Sequence, residues 1–216
     1  MFGVARRRVG ASLAAPMKLD IPAGEFAGYI FDLDGTLVDT MPLHYRAWNR
    51  AMQLAGLKEE LSEDLFYSLG GVPTRRVARL LADHYGLEVD VEKVFHQKEA
   101  LFVELRAEMK LIEAVVVFAR KAVAQRIPVS VASGGPRDIV HHTLELMHLR
   151  DLFPVVVTPE DVAQGKPAPD MFLLAAKKMG VPPAQCLVFE DAEPGIQAAK
   201  AAGMQWVHVE SRVKRS

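Results

Sequence analysis

The sequence predicts an α/β fold, a doubly wound parallel sheet with an inserted all-helical cap. Three observations lead there. After residue 110, short apolar β-prone runs alternate with helical stretches, the pattern of a parallel sheet covered on both faces. One further apolar run, at 28–33, is separated from these by a segment that reads as helical throughout. Polar residues capable of chemistry cluster at the ends of the candidate strands, where open α/β sheets bind ligands.

The elements follow in order. Tyr29-Ile30-Phe31 is apolar and β-prone and reads as a buried strand. Pro42 sits just inside a helix start, and Leu43, Ala47, Ala51 and Leu54 share one face until Gly56. Val77, Leu80 and Leu81 mark a second helix, closed by Gly86. The clearest helix is Asp90–Arg106, with Asp90 as N-cap and Val91, Val94, Phe95, Lys98, Leu101, Phe102 and Leu105 on one stripe. Strands then follow at Ile127–Ala132, Pro154–Thr158, Leu187–Glu190 and Gln205–Val209. Helices at Pro136–Met147, Asp170–Met179 and Gly195–Ala202 alternate with them. The resulting division is an N-terminal extension at 1–24, a core from 25–40 and 108–216, and a helical cap at 41–107. A bundle inserted after the first strand overhangs the strand ends and can act as a lid.

A chain of 216 residues can bury a full core with room for such an insert. Its net charge of −1 suggests no nucleic-acid surface, and no stretch is apolar enough to span a bilayer. Cys186 has no intrachain partner, which fits a reducing, cytoplasmic setting, and its apolar neighbours make it a core residue. Arg6-Arg7-Arg8 and the weakly apolar run after it suggest a frayed terminus or an upstream start, with Met17 as the usual one.

Four constellations carry the chemistry. Asp32-Leu33-Asp34-Gly35-Thr36 puts two carboxylates near the end of a buried strand, where they are costly unless something binds. A divalent cation offsets their repulsion and leaves one carboxylate free to act as a nucleophile. Ser133-Gly134-Gly135-Pro136 offers a hydroxyl and open amides at a helix start, either a phosphate cradle or a plain turn. Gly165-Lys166-Pro167-Ala168-Pro169-Asp170 stiffens the backbone around one lysine, which either neutralises a phosphoryl oxygen or stands exposed. Glu190-Asp191 follows a buried strand, beside a cation or as helix-capping acids.

Together, in this order, the four motifs resemble those of the haloacid dehalogenase superfamily. The resemblance covers about residues 25–210 and is nearest to the β-phosphoglucomutase-like sugar-phosphate phosphatases and mutases, through Glu190-Asp191, Lys166-Pro167-Ala168-Pro169-Asp170 and His44-Tyr45-Arg46-Ala47-Trp48. It implies a Rossmann-like core with Asp32 as the nucleophile and Asp34 as general acid/base. It implies Ser133 and Lys166 as phosphoryl ligands and Mg2+ held among Asp32, Asp34, Glu190 and Asp191. For Asp34 to protonate the leaving oxygen, its pKa is expected to be raised. Asp34 also points to an oxygen leaving group, because relatives that cleave halides or phosphonates lack it. His44, Trp48, Gly71, Arg75, Gly134 and Arg137 are candidate substrate contacts, with cap packing or solvent exposure as the alternative. One departure stands out: Leu111-Ile112-Glu113 stands where relatives place Pro-Gly, which blurs the cap exit.

The expected function is Mg2+-dependent hydrolysis of a small sugar phosphate through an aspartyl-phosphate. A phosphohexomutase is the alternative, and a non-enzymatic scaffold a third. Mutase-like relatives often have a polar pair after the motif serine, whereas Gly134-Gly135 follow Ser133 here. The expected partner is a phosphorylated small molecule, with no nucleic acid and no membrane, bound by a monomer.

Overall fold

The computed structural model describes residues 17–70 and 72–210. Most of the expected extension 1–24, and Gly71, therefore lie outside the described residues. Among the described residues a parallel sheet has the order β3-β2-β1-β4-β5. Its strands are β1 (Gly28–Phe31), β2 (Val129–Ala132), β3 (Val155–Val157), β4 (Cys186–Glu190) and β5 (Gln205–His208).

Side chains alternate across each strand and so build two cores. Phe31, Leu187 and Phe189 face α5 (Glu113–Ala124) and α6 (Arg137–Leu146), with Phe31 and Phe189 stacked at 4.7 Å. Ile30, Cys186 and Val188 face α7 (Asp170–Met179) and α8 (Glu193–Ala201) on the other side. Helices thus cover both faces, as expected. Burying each such phenylalanine contributes about 2–3 kcal/mol. Cys186 is a core residue, and burial pushes its thiol up to about 11.

Between β1 and α5 lie α1 (Met41–Leu54), α2 (Glu63–Ser68), α3 (Thr74–His84) and α4 (Val91–Leu105). They share a core of their own that includes Trp48, Met52, Phe66, Leu81 and Val94. Asp90 caps α4 by accepting from the Lys93 N–H at 3.1 Å, as its sequence position predicts. Two expected core residues are instead exposed. Leu54 is 52% exposed and Leu80 37% exposed, because the buried faces of α1 and α3 run through Met52 and Ala78. Helix α2 was not anticipated; Ser62, which accepts from the Leu65 N–H, and the acids Glu63 and Asp64 in its first turn were its signal.

The two linkers between this helical layer and the sheet run side by side. Val38 bridges Leu111, the Ile112 N–H donates to Leu37 O at 2.9 Å, and the Asp39 N–H to Lys110 O at 2.8 Å. This bridge resolves the ambiguous exit: Leu111 pairs with Val38, Ile112 is buried against the core and α5 starts at Glu113.

Candidate active site

Strand register builds the site. Phe31 is level with Phe189 on one side and Val131 on the other, so Asp32, Glu190 and Ser133 emerge at the same edge of the sheet. The Asp32 N–H donates to Phe189 O at 2.9 Å and the Ser133 N–H to Val157 O at 3.1 Å, which hold both loops in line with the strands. The chain winds from β1 to β3 in one direction and places β4 on the opposite side of β1. That reversal opens a crevice at the carboxyl ends of β1 and β4.

Lys166 enters from the loop before α7, just ahead of Pro167 and Pro169. Its Nζ donates to Asp32 Oδ1 at 2.6 Å and to Glu190 Oε2 at 2.7 Å, and all three residues are buried. Glycines make room for the acids. At Gly35 (φ +87°) a Cβ would run into the Asp191 carboxylate, and at Gly195 into that of Glu190. Asp32, Glu190 and Asp191 each bring a carboxylate oxygen within 4.8 Å of the others.

One ammonium does not balance three carboxylates. Burial, followed by the charge of Glu190, pushes the Asp32 carboxyl up to about 8 despite Lys166. Burial and the charges of Glu190 and Asp32 likewise push Asp191 up. A clustered set of hard oxygen donors with excess negative charge fits a small divalent cation, which would let all three ionise.

Asp34 faces elsewhere. Thr40 Oγ1 donates to its Oδ1 at 2.7 Å and His44 Nε2 lies 3.1 Å from the same oxygen; Ser133 Oγ donates to Oδ2 at 3.3 Å. Thr40 occupies the N-cap of α1 but uses its hydroxyl on Asp34 rather than on the helix. The Asp34 carboxylate lies outside the acidic cluster that Asp32, Glu190 and Asp191 form. Its expected raised pKa is corrected. Burial opposes ionisation, but the charge and hydrogen bond of His44, the Thr40 bond and the charge of Lys98 hold the carboxyl down at about 2. Burial, then the charge of Lys98, pushes His44 below its usual range, while the charge and hydrogen bond of Asp34 oppose that shift.

Both aspartates open into one cavity under the helical layer. His44, Trp48 and Gly134, three of the candidate substrate contacts, line it. Lys98 and Glu99 also line it and are buried, their side chains paired at 3.0 Å. Lys98 had a sequence signal, a cation on an apolar helical stripe; Glu99 had none. Two other candidate contacts, Arg75 and Arg137, do not line this cavity, although Arg75 lines an adjoining one that shares Thr74, Gly134 and Pro136 with it. Arg75 donates to Glu92 at 3.0 and 3.1 Å and stacks over Phe95. Arg137 pairs with Asp161 at 3.0 Å while its N–H donates to Glu160. In each case a nearby acid holds the guanidinium outside this cavity.

This arrangement has relatives. Residues 29–209 match the family model of haloacid dehalogenase-like hydrolases. The chain is 37% identical over 188 residues to the fructose-1-phosphate phosphatase YqaB of Escherichia coli, covering 85% of this chain and 96% of that one. It is 31% identical to a phosphorylated carbohydrates phosphatase of Thermotoga maritima, over 83% of this chain and 82% of the other. Among solved structures, CbbY from Rhodobacter sphaeroides in complex with phosphate superposes with a TM-score of 0.71 at 28% identity, over 84% of each chain. Sequence and fold agree over nearly the whole described chain, and the chain belongs to the haloacid dehalogenase-like hydrolase family.

Proposed function

We propose that the chain is a phosphatase that hydrolyses a small sugar phosphate through an aspartyl-phosphate on Asp32. The observation that carries this is the contrast between Asp32, set in an acidic cluster with Lys166, and Asp34, set among hydrogen-bond donors in the same cavity. Phosphatases of fructose 1-phosphate and of phosphorylated carbohydrates among its relatives support the substrate class.

Asp32, Glu190 and Asp191 would hold Mg2+, which when bound supplies positive charge to the phosphoryl oxygens. Lys166 holds the Asp32 carboxylate in place and adds positive charge, and Ser133 and the Gly134 backbone cradle the phosphoryl group. The Asp32 oxygen bonds to phosphorus as the bond to the sugar oxygen breaks. Asp34 gives that oxygen its proton. Asp34 starts ionised, and the charge of the incoming phosphate raises the affinity of the Asp34–His44 pair for the proton it must take up. Water then attacks phosphorus, Asp34 accepts its proton, and phosphate leaves with Asp32 restored.

Helices α1–α4, within residues 41–107, would act as the cap that excludes water during transfer, on a core of 25–40 and 108–216. We take the chain to act in the cytoplasm as a monomer on a small phosphorylated partner; its buried single thiol suits a reducing compartment. Gly134-Gly135 after Ser133 provide no polar side chain for a second phosphoryl group, which favours hydrolysis over the mutase reaction. Phosphate release from a panel of hexose and pentose monophosphates, with and without Mg2+, tests this. Conversion of β-glucose 1-phosphate to glucose 6-phosphate without phosphate release would instead establish a mutase.

A further inference from the structure

Among the described residues that line the cavity, Glu99 is an acid with no task in the proposed reaction. It is 8% exposed. Its Oε1 accepts from Lys98 Nζ at 3.0 Å, but its Oε2 is buried without a partner. A buried carboxylate oxygen left unsatisfied is costly, and a hydroxyl brought by a ligand would satisfy it.

The charges around it narrow the ligand further. His44 is committed to Asp34, and Lys98, held over the Trp48 and Phe102 rings, is neutralised by Glu99. Arg75 is turned out to Glu92. Among the described residues that line the cavity, Lys98 is the one lysine or arginine, and it is paired, so no free ammonium or guanidinium lines the wall to meet a second anionic group. Met41, Phe66, Leu69 and Val72 supply apolar wall suited to the C–H faces of a carbohydrate.

We propose that Glu99 determines specificity. Its Oε2 accepts a hydrogen bond from a hydroxyl of the substrate's body, and its charge, by neutralising Lys98, bars a second anion. The substrate class is a monophosphate whose remaining groups are neutral and hydroxylated; this rests on the phosphatase assignment and deepens it.

The test compares kcat/KM for fructose 1-phosphate and fructose 1,6-bisphosphate. Wild type prefers the neutral-bodied substrate. Glu99→Gln narrows that preference about tenfold by turning the bisphosphate over faster, a gain that damage to the fold cannot mimic, and Lys98→Met widens it. Deleting one hydroxyl, across the monodeoxy glucose 6-phosphates, costs wild type about tenfold at one position and costs Glu99→Ala under about threefold there. Equal turnover of the two fructose phosphates by wild type overturns the proposal without any variant. So does a ratio unmoved by Glu99→Gln, or an unchanged deoxy penalty in Glu99→Ala. Absence of phosphate release from any monophosphate by wild type overturns the phosphatase assignment and this proposal together, whereas release indifferent to body charge overturns this proposal alone.

Discussion

Lys166 reaches Asp32 across 134 residues of chain, its Nζ donating to Oδ1 at 2.6 Å while a second bond goes to Glu190 at 2.7 Å. Lys166 is fully buried, so the two carboxylates owe their compactness to one ammonium. Replacing it by methionine leaves two buried carboxyl groups without their cation. Lys166→Met should lose about 3–5 kcal/mol of stability in denaturant titrations, and phosphatase activity should fall by about a thousandfold or more. A variant as stable and active as wild type would remove Lys166 from the site.

Asp32 and Asp34 should fail differently when altered. Asp32→Asn abolishes turnover and forms no phosphoenzyme. Asp34→Asn still forms some, but its release slows, because the attacking water loses its base. Mass spectrometry of quenched reactions separates the two. Phosphoenzyme on Asp32→Asn at a level comparable to Asp34→Asn would overturn the nucleophile assignment.

Mg2+ should stabilise the protein in a pH-dependent way. Folding raises the Asp32 carboxyl from 3.8 to about 8, and Asp191 shifts in the same direction. A carboxyl raised on folding keeps a proton that the unfolded chain has lost. Its contribution to metal-free stability is therefore full below the unfolded value and is lost as pH rises towards about 8. Mg2+ must displace these protons, so the gain in Tm on adding it should be larger near pH 8 than near pH 5, and binding should release protons in calorimetry in buffers of different ionisation enthalpy. An equal gain at both pH values, with no proton release, would mean that these carboxyls do not hold the cation.

Gly35 is constrained twice, by its φ of +87° and by the Asp191 carboxylate against it. Gly35→Ala should cost about 1 kcal/mol in backbone strain and also displace Asp191. The Mg2+ concentration for half-maximal activity should rise about tenfold or more, beyond what the stability loss explains. An unchanged Mg2+ requirement would count against Asp191 as a ligand.

Arg75 and Arg137 serve as controls. Each is held by exposed or half-exposed acids away from the cavity. Arg75→Ala and Arg137→Ala should change kcat/KM by no more than about threefold, and stability by under about 1 kcal/mol. A large rise in KM for either would restore it as a substrate contact.

Much of this was legible along the chain because it is local. Alternation of apolar runs and helical periods specified a parallel sheet covered on both faces, since strand and helix periods are properties of short segments. Asp32, Glu190 and Asp191 were legible because charged residues after buried strands have few structural reasons to be there, and Lys166 because Pro167 and Pro169 stiffen the chain beside it. The tertiary structure alone decided the partners. Sheet register set Asp32 beside Glu190, while helix α1 brought Thr40 and His44 to Asp34 and held its pKa low rather than high. Arg75, a candidate substrate contact by its sequence position, is held by Glu92 on another helix, and Glu99, which carries no sequence signal, is buried beside Lys98. Charge at a site depends on which groups meet across space and how far water is excluded from them, and neither is written in the spacing of residues along a chain.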